Sequence, residues 1–144
     1  MSSAPEISVD PVDRGESSTQ VDMAAFVASR QSLDQQIARL QRQTRLAIEQ
    51  HLRPFAGQTR TSLAENRRWV NEITALIGSQ GLRVRCPECG HASILRVSPR
   101  RGSSGGVFVF DHTIDRRRTF HGGSGRLPVI RLMAKPRRQS GKGV

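Results

Sequence analysis

The chain has no tyrosine, one tryptophan and five phenylalanines among its 144 residues. Aromatic rings carry the largest apolar area per side chain, so a core must be built mainly from aliphatic residues. Something besides core volume has to help hold the fold. Cysteine is equally scarce, and two residues cannot make the disulfide framework of a small secreted scaffold. Met1 opens a polar, acidic stretch and not a basic one followed by an apolar run, so no secretory leader is expected. No stretch approaches the roughly 18–20 apolar residues that span a bilayer, which points to a cytoplasmic or otherwise intracellular protein with no membrane role. With 35% apolar residues there is material for one small domain plus appendages, and a second full core is excluded.

Acidic residues thin out toward the C-terminal end of the chain. Residues 1–20 hold four of them with Arg14 as the one base, among Ser and Pro, and disorder is expected there. Residues 21–80 hold 8 bases and 5 acids in a stretch with helical periodicity. Residues 81–144 hold 14 bases against Glu88, Asp111 and Asp115, so this part alone matches the net charge of +11. Its end, 134–144, carries Lys135, Arg137, Arg138 and Lys142 among Pro, Ser and Gly and reads as a disordered basic tail.

Two helices are expected in the middle. Ser32-Leu33-Asp34-Gln35 fits a capping box, with Asp22 as the other candidate start. Leu33, Ile37, Leu40, Ala47, Ile48, Leu52 and Phe55 then fall on one stripe, and Pro54 ends the helix near Leu52. Ser62-Leu63-Ala64-Glu65 offers a second box, followed by Trp69, Val70, Ile73, Leu76 and Ile77 at helical spacing, with Gly81 placed to take the left-handed position after the last turn. The simplest arrangement buries the two stripes against each other, as a helical hairpin or a coiled coil that pairs between chains. A homodimer or a larger protein partner would then use helices 33–52 and 63–80.

Cys86-Pro87-Glu88-Cys89-Gly90 sets two thiols at a spacing that lets a tight turn point both sulfurs at one ion, while Gly90 lets the backbone curl beneath it. The flanks Leu82–Arg85 and Ile94–Val97 are strand-like, which favours metal over the redox use of such a pair at a strand-to-helix junction. Two further ligands must come from His91, His112 and His121. Val107–Phe110 is a strong strand and Arg118–Phe120 a weaker one, with a turn at Asp115-Arg116-Arg117. Pairing Ile114 with Thr119 would set His112 opposite His121 on one face. The expected site is therefore Cys86, Cys89, His112 and His121 around a structural Zn2+, with His91 in reserve. Four protein ligands leave no open position at which water is activated.

The CPxCG knuckle resembles that of zinc ribbons, small domains in which a knuckle and a β-hairpin share one zinc ion. The resemblance covers roughly residues 82–132, and the chain departs from it in offering spaced histidines where a ribbon has a second CxxC. Phe110-Asp111-His112 after a CxxC pair is also similar to the HNH nucleases. Those need a following helix with Asn or His, whereas here Gly122-Gly123-Ser124-Gly125 and a strand-like Leu127–Leu132 follow, and no Asn occurs after residue 112. No enzyme is expected. Ser103-Ser104-Gly105-Gly106 reads as a loop tip and His121–Gly125 as a tight connection past the metal.

Bases gather at Arg83 and Arg85, Arg100 and Arg101, Arg116, Arg117 and Arg118, and Arg137 and Arg138, mostly at strand alternations or loop tips of the ribbon. Neighbouring loops of this charge would attract a phosphate backbone, and arginine suits bidentate contact with it. The expected whole is α+β: a disordered acidic N-terminus (1–20), a helical hairpin or coiled-coil segment (21–80), a small zinc-stabilised antiparallel β ribbon (81–133) and a basic tail (134–144). Its expected work is non-catalytic contact with nucleic-acid phosphates. The alternative is a protein–protein adaptor whose zinc ribbon is purely structural.

Overall fold

The computed structural model describes residues 3–5, 7–8 and 20–138. It contains α1 (Met23–Leu52), a 3-10 turn (Arg53–Phe55), α2 (Leu63–Ser79) and strands β1 (Leu82–Arg85), β2 (Ala92–Arg100), β3 (Ser103–Ile114), β4 (Arg117–Ser124) and β5 (Leu132–Ala134). The class is α+β, as expected. Most of the acidic segment 1–20 and residues 139–144 of the basic tail lie outside the described residues. Among the described residues no helix is long and apolar enough to cross a membrane.

Of the two starts open to α1, Asp22 is the one used. Its Oδ1 accepts from the amides of Ala24 at 3.0 Å and Ala25 at 3.3 Å, so Ser32 lies inside the helix. Proline in the 3-10 turn halts α1 at Leu52. Ser62 caps α2 by accepting from the Glu65 amide at 3.2 Å, but Glu65 reaches back to the amide and hydroxyl of Thr61, one residue beyond the usual box. Gly81 follows the helix at φ 66°, the left-handed conformation that glycine takes without strain.

From Gln36 onward the described residues form one compact unit. Its five strands lie in the order β4-β3-β2-β1-β5, each antiparallel to its neighbours. The apolar side of α2 does not pair with the stripe of α1. Val70, Ile73 and Ile77 instead pack on the sheet, against Leu82, Val84, Leu95, Val97, Phe108 and Phe110. Ile48 and Leu52 join this core, whereas Leu33, Ile37 and Leu40 of α1 are 54%, 43% and 60% exposed. A sheet with one apolar face and a helix with one apolar stripe each need an apolar partner, and packing α2 on the sheet buries both.

Asn66 fixes where α2 meets β3. Its side chain is fully buried; Oδ1 accepts from the Arg60 amide at 2.8 Å, and Nδ2 donates to Thr59 Oγ1 at 3.2 Å and the Gly105 carbonyl at 2.9 Å. Gly105-Gly106 is thus no loop tip. It lies within β3, where a Cβ on Gly106 would stand 2.7 Å from Leu63 Cδ1, and the turn comes earlier, at Arg101-Gly102. Leu127 and Ile130 are buried in loop conformation, and only Leu132 of the strand-like run Leu127–Leu132 enters β5. Ala134 completes β5 and the Lys135 amide donates to the Gly81 carbonyl at 2.9 Å, so the basic tail is anchored at its start.

Candidate metal centre

The β1–β2 connection and the β3–β4 hairpin lie at the same end of the sheet, because β1 and β3 both run antiparallel to β2. At the connection the Gly90 amide donates to the Cys86 carbonyl at 2.8 Å and the Cys86 amide to the His91 carbonyl at 2.9 Å. Gly90 has φ 75°, which closes the knuckle as the sequence requires. Burial pushes the Cys86 thiol up, while the backbone amides of Cys89 and Glu88 act on the sulfur in the opposite sense. Such N–H groups are what a thiolate needs once a cation displaces its proton.

The hairpin differs from its expected register. Ile114 pairs with Arg117 and not with Thr119, because Asp115 (φ 49°) and Arg116 (φ 65°) form a two-residue turn with both residues left-handed. His112 is therefore opposite Thr119, and His121 opposite Phe110. The slip is two residues, so both imidazoles still point to one face and sit diagonally, with ring centroids 4.8 Å apart.

Cys86 Sγ is 3.3 Å from His121 Nδ1 and Cys89 Sγ is 3.0 Å from His112 Nε2. One donor atom from each of the four residues lies within 4.8 Å of the other three. Bond lengths of about 2.3 Å to sulfur and about 2.0–2.1 Å to nitrogen put S···N edges of a tetrahedron near 3.6 Å and S···S edges near 3.8 Å. The two S···N separations are shorter than that edge and the 4.8 Å span of the cluster is longer, so seating an ion needs donor shifts of up to about 1 Å. His112 Nδ1 lies 2.9 Å from the Thr119 carbonyl, the second hydrogen bond that holds a ligating imidazole in the right tautomer. Glu88, which the spacing argument did not use, accepts from the Gly122 amide at 2.7 Å and ties the knuckle to β4. His91, the reserve candidate, is exposed and outside the cluster. The segment after His112 leads into β4.

The arginines singled out by sequence do not gather on neighbouring loops. Arg101 and Arg116 sit in turns at opposite ends of the 12-residue β3, roughly 30 Å or more apart. Arg100 donates to the Gly123 carbonyl at 3.1 Å, Arg83 to the Leu82 carbonyl at 3.1 Å, and the Arg85 guanidinium lies over Gly90. Arg117 is exposed at the start of β4, and Arg137 and Arg138 are exposed beyond β5. Arg118 gives Nε and Nη2 to the Asp111 carboxylate at 3.0 and 2.7 Å, and Arg96 gives Nε to it at 2.6 Å. The Arg118 hydrogen bonds, with Arg96 in support, hold the Asp111 carboxyl below its ordinary range. Arg96 was not among the expected contact residues. Its place between inward Leu95 and Val97 is the alternation that assigns it to the outer face.

No family model, no curated protein and no solved structure matches this chain. The donor cluster and the sheet that carries it therefore have to be interpreted on their own geometry.

Proposed function

We propose that this chain is a non-catalytic zinc protein whose Cys86, Cys89, His112 and His121 hold one structural Zn2+, and whose arginine-bearing β domain contacts nucleic-acid phosphates. The observation that carries the metal reading is the convergence of two sulfurs and two imidazole nitrogens within 4.8 Å. Two soft and two borderline donors, with no carboxylate among them, suit zinc better than magnesium, calcium or manganese. Four protein ligands fill a tetrahedron, so the ion's work is to bind the knuckle to the hairpin. The phosphate reading is supported by the excess of bases in residues 81–144 and by arginines exposed at the β3–β4 turn, Arg116 and Arg117.

Elemental analysis of the purified chain should give one zinc per molecule, and cobalt substitution should give a tetrahedral thiolate spectrum. Less than a tenth of an equivalent after growth and purification in zinc would refute the metal reading. Binding to duplex and single-stranded oligonucleotides over a salt series tests the second part. Affinity should fall steeply with salt, and Arg116→Ala with Arg117→Ala should flatten the slope. Absence of binding to either form at low salt leaves the adaptor function.

A further inference from the structure

One face of the sheet is covered by α2; on the other, Val107, Val109 and Asp111 of β3 are buried while Arg96, Arg118 and Phe120 are exposed. On β3 the residues that alternate with Phe108, Phe110 and His112 face away from the helix, and the register sets Phe120 opposite Asp111 and Arg118 opposite Thr113 on that outer side. A cleft of about 460 Å3 opens there, lined by Arg83, Arg96, Asp111, Arg118 and Lys135 among others. Four bases thus surround a single acid.

The arrangement is built rather than incidental. Asp111 is only 8% exposed in its side chain, while Arg96 and Arg118, which it holds, are 51% and 63% exposed. Arg96 uses one of the five N–H donors of a guanidinium on that carboxylate and Arg118 uses two, so each presents further donors outward from a fixed plane. Next to them Phe120 is 52% exposed, and the Arg118 guanidinium carbon lies 4.9 Å from its ring centroid. β4 is an edge strand, so the ring stands at an open margin of the sheet. From β4 across to β1 is three strand spacings, about 14 Å. Along that line lie an aromatic ring, two anchored guanidiniums, and then the half-buried Arg83, whose Nη1 donates to the Leu82 carbonyl at 3.1 Å.

We propose that this outer face binds single-stranded nucleic acid, with a base stacked on Phe120 and phosphates held by Arg83, Arg96 and Lys135. The proposal rests on the phosphate-contact reading above and adds where the polymer lies and in which form. The cations line a recess in the sheet, and the ring stands beside it under the Arg118 guanidinium. An unstacked strand can lay its backbone and bases across such a surface, whereas duplex bases are stacked on one another and out of reach of the ring. Charge complementarity selects a polyanion, and the exposed ring selects one with free bases over an acidic peptide.

Fluorescence anisotropy of the zinc-loaded full chain should be measured with short mixed-sequence single-stranded DNA, single-stranded RNA and the matched DNA duplex. Phe120→Ala should weaken single-strand binding at least about fivefold and leave duplex binding within about twofold, and Phe120→Trp should restore it. Arg83→Gln with Lys135→Gln should reduce the salt slope for single strands. Zinc content and melting temperature of Phe120→Ala should match the parent, since the ring is half exposed. Equal effects of Phe120→Ala on both forms, or none on either, with binding still lost on changing Arg116 and Arg117, would overturn this site while the phosphate reading survives. No binding of any oligonucleotide at low salt overturns both, and an acidic polypeptide that binds as tightly as single strands, indifferent to Phe120→Ala, overturns the choice of polymer.

Discussion

Withdrawal of bound metal by a chelator is the most informative perturbation, because only one side of the core touches the donors: Cys86 belongs to it and Cys89 packs against it, whereas α2 supplies no donor. The four donors join the β1–β2 knuckle to the β3–β4 hairpin at one end of the sheet. Val70, Ile73 and Ile77 of α2 pack on Leu95, Val97 and Phe108, none of which is a ligand. A chelator should therefore destabilise the domain without abolishing it. A ligand that binds only the folded state adds RT ln(1 + [L]/Kd), about 4 kcal/mol when free zinc is a thousandfold above Kd. For a unit of about a hundred residues, at about 4 °C per kcal/mol, the melting temperature should fall by about 15 °C. Hydrogen exchange locates the loss: amides of the knuckle and of β4 around His121 should lose protection on chelation, while those of α2 and the middle of β2 keep it. Identical melting and identical exchange with and without chelator would refute the reasoning, since the ion would then hold nothing together.

Cys89→Ser should lower bound zinc well below one equivalent, while His91→Ala, which removes an exposed ring outside the donor cluster, should retain the full equivalent; metal analysis after dialysis distinguishes them. Asn66→Ala leaves the Arg60 amide and the Gly105 carbonyl, both partly buried, without their partner. At the low end of about 1–3 kcal/mol for each, the expected loss is about 2 kcal/mol in urea denaturation, with zinc content unchanged. Asp111→Asn should alter the acid limb of stability. The Arg118 and Arg96 contacts lower the folded-state pKa of Asp111, so its contribution is complete above the ordinary carboxylate pKa of about 3.9 and is lost as pH falls through the lower folded value. The stability gap between parent and variant should accordingly be constant from about pH 5 to 8 and shrink below about pH 4. Metal-free protein is the sample for this measurement, so that metal release does not enter and protonation of the Cys and His side chains is common to parent and variant.

How much of this was legible in the sequence depends on the range over which each signal acts. Capping by Asp22 and Ser62, the stop at Pro54 and the turn at Gly81 are local, and the residues that make them lie within a few positions of one another. The partner of α2 is a different kind of fact. Val70, Ile73 and Ile77 announce a helix with one apolar side, but periodicity does not say whether a helix or a sheet covers it. Asn66 was illegible for the same reason: its acceptor, Gly105, lies 39 residues away and exists only once β3 is in place.

The donor cluster forms despite a wrong expected register because side chains alternate with period two along a strand. Pairing Ile114 with Thr119 was the expectation, and the turn at Asp115-Arg116 pairs it with Arg117 instead. Such a slip moves His121 by one diagonal step relative to His112 and leaves both on the face toward which the knuckle points. A slip of one residue would have sent His121 to the outer face with Phe120's neighbours and left the thiols with a single imidazole. The parity of the hairpin, and not its exact register, is what the chelating geometry requires. Inserting one residue into β4 between Arg118 and His121 should therefore cost zinc binding outright, whereas lengthening the turn by two residues while keeping the strand pairing beyond it should preserve it. Metal stoichiometry of the two insertions decides the point, and retention of a full equivalent by the one-residue insertion would refute the parity argument.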